Sequence, residues 1–173
     1  MTARATGFAG FTDELRSARG SASLDAFVRQ RMVERGVQTL YVAETEAGES
    51  IYAQWLVTPA TLDTLDRFSP GRYPRLATDE AIVEGAYTFS DFRGLGVMAA
   101  GMAQLLATAH ASGMRAVITY VGEDNVPSLR GCARVGFELD HLRTNRRRFG
   151  RHSSVMSGLD DAARRAWAAA IGR

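Results

Sequence analysis

The alternation of apolar and polar positions predicts an antiparallel meander in the first half of the chain. Strands are expected over residues 38–46, 50–58 and 80–89, where β-branched and aromatic residues recur with polar neighbours. The turn Ala47-Gly48-Glu49 joins the first two as a hairpin. A short helix around residues 62–68 is expected before the third.

The stretch from residue 80 to residue 136 organises the rest of the prediction. Its strand runs into a turn that contains Gly94 and Gly96, and a helix follows from about residue 95 to 112. Residues 115–121 are nearly continuous β-formers, which is typical of a central strand with two buried faces. A strand, a helix and a strand in this order predict a parallel pair with a right-handed crossover.

Helices are expected to flank this core. Residues 1–11 look irregular, and the N-terminal region 1–36 is expected to contain two helices, over 12–19 and 24–35. The elements predicted downstream are a helix at 128–135, a strand at 137–144, a basic turn at 145–150, a strand at 151–157 and a C-terminal helix at 159–171, within 158–173. The predicted fold class is therefore α/β (α+β), a single domain over 1–173 with a mostly antiparallel sheet and a central parallel pair.

Composition narrows the function classes. The net charge of +2 argues against nucleic acid as a partner, and every basic residue is an arginine, so no lysine can act as a nucleophile. The single cysteine excludes a disulfide framework, and His110, His141 and His152 lack metal-ligand spacing, so no metal is expected. The start of the chain lacks the apolar core of a signal peptide, and residues 94–114 are too rich in small and polar residues to span a membrane. A cytoplasmic location is expected.

The glycine turn before the long helix predicts an anion site. Gly94 and Gly96 allow close approach of the backbone, and the helix start directs N–H groups and the positive end of its dipole at one point. That arrangement suits a phosphate or another anion.

Two motifs in this order resemble the GCN5-related N-acetyltransferase (GNAT) superfamily. Arg93-Gly94-Leu95-Gly96-Val97-Met98 follows the family's coenzyme pattern Gln/Arg-x-x-Gly-x-Gly/Ala, with Met98 in place of the last small residue. Asn125-Val126-Pro127-Ser128 with Gly136-Phe137 follows its second signature, with Cys132 at the position of the usual Tyr.

The resemblance implies an enzyme of the GNAT N-acyltransferase type that uses acetyl-CoA. It would transfer the acetyl group to a primary amine by direct attack in a ternary complex, with residues 80–145 as the coenzyme-binding core. N–H groups of 93–98 would hold the pyrophosphate, the backbone of 87–89 would pair with the pantetheine arm, and Asn125 and Ser128 would flank the arm. The implied coenzyme-binding residues are Tyr87, Thr88, Phe89, Arg93, Gly94, Leu95, Gly96, Val97, Met98, Asn125 and Ser128.

Two residues are candidates for catalysis. Glu84, on the same face as Ile82 and Ala86 under period-two alternation, is the candidate base; the alternative is a rim carboxylate that pairs with an arginine. Cys132 takes the place of the family's usual acid, and the alternative is a small buried hydrophobe.

Other functions stay open at this stage. The chain could be a GNAT-like module that binds acyl-CoA without transferring it. Residues 94–99 also satisfy Gly-x-Gly-x-x-Ala, with Glu123 after the next strand, which is the pattern of a dinucleotide-binding oxidoreductase. The acceptor is expected to be a small-molecule or peptide amine. Its identity, the acyl chain specificity, the role of the turn at 146–148 and the oligomeric state, a homodimer included, are left open.

Overall fold

A computed structural model describes residues 2–5, 32, 34–37, 39–68, 70–148 and 151–172. The chain divides into two compact units, Met1–Tyr120 and Val121–Arg173, which are described in turn. The helix predicted over 12–19 and nearly all of the one predicted over 24–35 lie outside the described residues.

The first unit contains a five-stranded sheet, with strands β1 Thr2–Ala5, β2 Leu40–Glu44, β3 Ser50–Val57, β4 Glu80–Thr88 and β5 Ala116–Ile118. The strands lie side by side in this order. The first three pairs of neighbouring strands are antiparallel, and β4 and β5 are parallel. This confirms the predicted mixed, mostly antiparallel sheet with a parallel pair.

Two details of this sheet differ from the prediction. Thr2–Ala5 forms a strand where residues 1–11 were expected to be irregular, because its four residues become a strand only by pairing with β2. The second difference concerns β5, which has only three residues and lies at the edge of the described sheet. The strand predicted over 115–121 is therefore neither central nor buried on both faces. Ala116 is exposed, and the carbonyl of Asp79 accepts hydrogen bonds from the amides of both Arg115 (2.7 Å) and Ala116 (3.3 Å).

Two helices of this unit have bounds within the described residues, α1 Leu62–Phe68 and α2 Val97–Ala111, and a short 3-10 turn, Ser90–Phe92, precedes α2. Residues at helical spacing bury one face of α2, namely Gly101, Met102, Leu105 and Ala109. A Cβ at Gly101 would lie only 2.5 Å from Cδ1 of Tyr52. Glycine at this position therefore allows α2 to pack closely on β3.

Two apolar clusters lie among the described core residues of this unit. The Trp55 cluster consists of the buried residues Met32, Val37, Leu40, Val42, Ala53, Trp55, Val57, Leu65, Ile82 and Tyr87. The Tyr52 cluster consists of Ala43, Ile51 and Tyr52, against which Ala86, Phe92, Val97 and Met98 pack. The start of α2 thus packs with the Tyr52 cluster.

The second unit consists of α3 Val126–Arg134, the hairpin of β6 Leu142–Arg148 and β7 Arg151–Ser157, and α4 Asp161–Ile171. The predicted basic turn is wrong over residues 145–148, which belong to β6 and pair with β7 residue by residue. The strand predicted from residue 137 begins only at Leu142. Cross-strand pairing overrides the turn signal here, because a run of arginines does not by itself prevent an extended backbone.

Side chains cap both helices of the second unit. Oδ1 of Asn125 accepts a hydrogen bond from the amide of Ser128 at 3.3 Å, and Oδ1 of Asp160 accepts one from the amide of Ala163 at 2.7 Å. Nε of Arg130 donates to the carbonyl of Ala170 at 2.9 Å, which ties α3 to the end of α4.

Two searches of the described part of the chain find no candidates. None of its helices is long and apolar enough to cross a membrane. Within the same residues, no group of three or more His, Cys, Asp or Glu side chains is placed to hold a metal ion.

Candidate functional site

A β-bulge interrupts β4 at Gly85. Glu84 lies opposite Trp55 and Tyr87 lies opposite Ala53, so Gly85 and Ala86 together face the single residue Gln54. Gly85 has a φ of +67°, in the left-handed region that favours glycine. An extra residue of this kind bends the strand and redirects its side chains.

The bulge determines which side chains share a face of the sheet. Residues directly opposite in an antiparallel pair point to the same side, so Glu84 lies on the face of Trp55. Ile82 and Tyr87 belong to the Trp55 cluster, whereas Ala86 packs against the Tyr52 cluster. Glu84 therefore shares its face with Ile82, as predicted, but the placement of Ala86 on that face is wrong because the bulge breaks the alternation.

Glu84 lies just beyond the point where the two parallel strands stop pairing. The ladder between β4 and β5 joins Glu80, Ala81 and Ile82 to Ala116–Ile118, and β4 continues to Thr88. The Glu84 side chain is half-buried. Glu84 therefore lies on the part of β4 that extends beyond the pairing with β5.

Arg93 folds back onto the end of β4. Its Nε donates to the carbonyl of Thr88 at 3.1 Å, and its Cζ lies 5.7 Å from the ring centroid of Tyr87. The amide of Phe89 donates to the carbonyl of Ile51 at 3.2 Å, so Phe89 directs its backbone toward β3. By alternation the backbone of Tyr87 also faces β3, and that of Thr88 faces away from it.

The glycine turn after β4 is exposed. Gly94 and Gly96 have φ values of +78° and +77°, Leu95 between them is 71% exposed, and a Cβ at either glycine would meet nothing within 4 Å. No side chain caps α2, whose first backbone hydrogen bond runs from the amide of Ala100 to the carbonyl of Gly96 at 3.1 Å. The first amides of α2 have no acceptor within the helix, so this end of α2 provides donors for an anion.

Met98, which departs from the small residue of the coenzyme motif, is accommodated by the core. Its half-buried side chain packs with Val97 against the Tyr52 cluster. The larger residue is therefore stabilised by contacts with the sheet.

Three predicted site residues lie in the second unit, at or within α3. Asn125 caps α3 through its bond from the amide of Ser128, a role that the motif alone did not predict. A signal was present, because an Asn shortly before a proline is typical of a helix start, and Pro127 lies in the first turn.

Cys132 is buried, with 2% of its surface exposed. This burial raises the pKa of its thiol from the ordinary 9.0 to about 11, against a smaller opposing effect of a hydrogen bond with the backbone. These observations favour the structural alternative for Cys132, a small buried hydrophobic residue, over the role of a catalytic acid.

Comparison with known proteins finds a family model that matches part of this chain. Residues 60–137 match the model of the acetyltransferase (GNAT) family. No curated protein sequence is similar enough to be matched.

Solved structures share the fold. One described as a phosphinothricin N-acetyltransferase is 21% identical, with 92% of this chain and 99% of that chain covered and a TM-score of 0.60. The ribosomal-protein-alanine N-acetyltransferase of Brucella melitensis is 19% identical, with 92% and 100% covered and a TM-score of 0.56. An aminoglycoside N-acetyltransferase in complex with CoA is 16% identical, with 85% and 99% covered and a TM-score of 0.53. The resemblance inferred from the sequence is confirmed over residues 60–137, and the solved structures confirm the fold class.

Proposed function

We propose, from the match of residues 60–137 to the model of the acetyltransferase (GNAT) family, that this chain transfers an acetyl group from acetyl-CoA to a primary amine by direct attack in a ternary complex. The observation that carries the proposal is the exposed glycine turn between β4 and the uncapped start of α2.

The glycine turn fits a diphosphate group. A pyrophosphate needs several convergent donors at close range, and Gly94 and Gly96 leave the space that side chains would occupy. Backbone amides of residues 93–98 would hold the phosphates, with Val97 and Met98 at the positive end of α2. Arg93 adds a positive charge beside the turn, fixed by its bond to Thr88.

The end of β4 would hold the pantetheine arm. Among residues 87–89, the backbone of Thr88 faces away from β3, so we assign strand-like pairing with the arm to Thr88. Tyr87 and Phe89 would support it through their rings, which pack edge to face with centroids 5.1 Å apart. The assignment of Asn125 and Ser128 to the arm remains a proposal.

The reaction requires a neutral amine and a route for its proton. Bound acetyl-CoA supplies the acyl carbon, to which the amine nitrogen bonds as the carbon–sulfur bond breaks. We propose that the Glu84 carboxylate removes the proton of the amine, directly or through a water. Cys132 is a poor source of a proton for the departing sulfur, because a thiol with a pKa of about 11 is a weaker acid than an ordinary thiol with a pKa of 9.0. Solvent or the product amine would supply that proton.

A second candidate function is a GNAT-like module that binds acyl-CoA without transfer. It is favoured by the burial of Cys132 at the position of the family's usual acid. The dinucleotide-binding alternative loses support, because β4–β5 is the one parallel pair in a sheet whose other described pairs are antiparallel.

Calorimetric titration with CoA, followed by turnover of acetyl-CoA, tests the proposal. The acceptor panel would contain phosphinothricin, an aminoglycoside, a polyamine and a peptide with N-terminal alanine, with mass spectrometry of the products. We expect saturable CoA binding and one acetylated amine. Saturable binding with no product from any amine supports the binding module, and a melting temperature raised by NADH but not by CoA supports the dinucleotide-binding class.

A further inference from the structure

The indole ring of Trp55 occupies the space in which a side chain at Gly85 would lie. A Cβ at Gly85 would lie 2.8 Å from Cε3 and 3.0 Å from Cζ3 of that ring, and 3.7 Å from Sδ of Met32. The positive φ of Gly85 independently favours glycine. The bulge in β4 and the ring on β3 therefore fit against each other with no space between them.

The ring is itself held at its other end. Trp55 is fully buried, and its Nε1 donates to the carbonyl of Val37 at 3.0 Å. Thr39 fixes the same segment to the next residue of β3, because its Oγ1 donates to the carbonyl of Leu56 and its carbonyl accepts from the amide of Leu56 at 3.1 Å. The indole ring therefore has a fixed position, and its packing against Gly85 can determine where the bulge lies.

The opposite face of the bulge is also supported. Gln54, the residue that faces both Gly85 and Ala86, is buried, and its Oε1 accepts a hydrogen bond from the Tyr52 hydroxyl at 2.6 Å. Because both faces are packed, a change in the ring must shift β4 at the bulge. Glu84 is adjacent to the bulge and lies directly opposite Trp55, so its carboxylate would shift with it.

We propose that Trp55 is a positioning residue, which places the Glu84 carboxylate for proton removal by holding the bulge at Gly85. This inference rests on the proposed function, in which Glu84 is the base. Trp55 itself does not touch the substrate in this role.

The test compares Trp55→Leu and Trp55→Phe with Leu65→Ala, a matched control. Leu65 is fully buried in the same Trp55 cluster but lies on α1. For both Trp55 variants we expect kcat to fall about 10- to 100-fold with little change in the KM for acetyl-CoA, since small displacements of catalytic groups have effects of this order. The pKa seen in the kcat profile should shift in these variants and stay fixed in Leu65→Ala. Equal losses of kcat in all three, with fixed profiles, overturn the proposal.

A second measurement needs no turnover. Carbon-13 NMR of Glu-labelled protein, with the Glu84 signal identified by its loss in Glu84→Gln, reports the titration of this carboxyl directly. We expect the titration to shift in Trp55→Leu but not in Leu65→Ala, and an unmoved titration in both overturns the proposal. Failure of the proposed function is recognised separately, by a wild-type protein that neither binds CoA nor acetylates an amine.

Discussion

Glu84 and Tyr87 lie three residues apart on β4 and nevertheless point to the same face of the sheet, because Gly85 and Ala86 share one partner on β3. This places the carboxylate on the same face as Tyr87, against whose ring the Arg93 side chain is folded. The single inserted residue therefore places the proposed base on the face of β4 that carries Tyr87, which Arg93 of the proposed coenzyme-binding turn contacts.

Replacement of Glu84 by glutamine should abolish the base and preserve the fold. We expect kcat to fall by about 10²–10⁴-fold, the usual contribution of a general base. In the wild type kcat should rise with pH as Glu84 loses its proton, and the variant should lack this rise. Glu80→Gln is the matched control, because Glu80 lies four residues before Glu84 on β4 and alternation puts both on the same face of the strand. The kcat of Glu80→Gln should be unchanged. An equal loss in both variants would contradict the role of Glu84.

The glycine turn can be tested with a backbone-matched pair of variants. Gly96→Ala and Gly113→Ala each place a Cβ at a positive φ, +77° and +86°, with no atom within 4 Å, so each should lose about 1–2 kcal/mol of stability. Only Gly96 lies beside the proposed phosphates. We therefore expect the dissociation constant for CoA, measured by calorimetry, to rise about tenfold or more in Gly96→Ala alone. The reason is that a bound phosphate must approach the backbone of the turn closely, and a Cβ at Gly96 would block this approach. Unchanged CoA affinity in Gly96→Ala would exclude the turn as the binding site.

The elements around this site could be predicted because their signals are local. Helix α1 at 62–68 and strand β7 at 151–157 agree with the sequence prediction to the residue, and β4 differs by one residue. The turn after β4 could be predicted from two glycines and the start of a helix, and both signals lie in neighbouring residues.

The remaining features depend on distant partners. Thr2–Ala5 has no pattern of its own and becomes a strand through β2, and residues 145–148 extend because β7 pairs with them. The bulge had a local signal, since an isolated glycine within a strand pattern indicates one. Its effect on the faces of β4 depends on how Gly85 packs against Trp55, and that packing follows from the pairing of two strands.

The role of Asn125 can be separated from its capping bond by comparison with Asp160. Each residue accepts a hydrogen bond from the amide three positions later, so Asn125→Ala and Asp160→Ala should each lose about 1 kcal/mol in urea unfolding. If Asn125 also contacts the pantetheine arm, CoA affinity should fall only in Asn125→Ala. Equal CoA affinities in the two variants would leave Asn125 as a helix cap alone.

The buried thiol of Cys132 should make stability depend on pH in the alkaline range. Its pKa is about 11 in the folded chain and 9.0 when exposed, so the unfolded state releases the proton first as the pH rises. The stabilisation is complete below pH 9 and is lost as the pH approaches 11, a change of at most about 3 kcal/mol.

Urea unfolding of the wild type and of Cys132→Ala between pH 8 and 11 measures this loss, since the difference between the two should shrink by that amount. The same variant decides the role of the thiol in the reaction. If Cys132 has only a structural role, the kcat of Cys132→Ala should stay within about twofold of the wild-type value at pH 8. A larger fall in kcat with CoA affinity retained would instead make the thiol a proton donor, because alanine keeps the apolar contact and lacks only the acid.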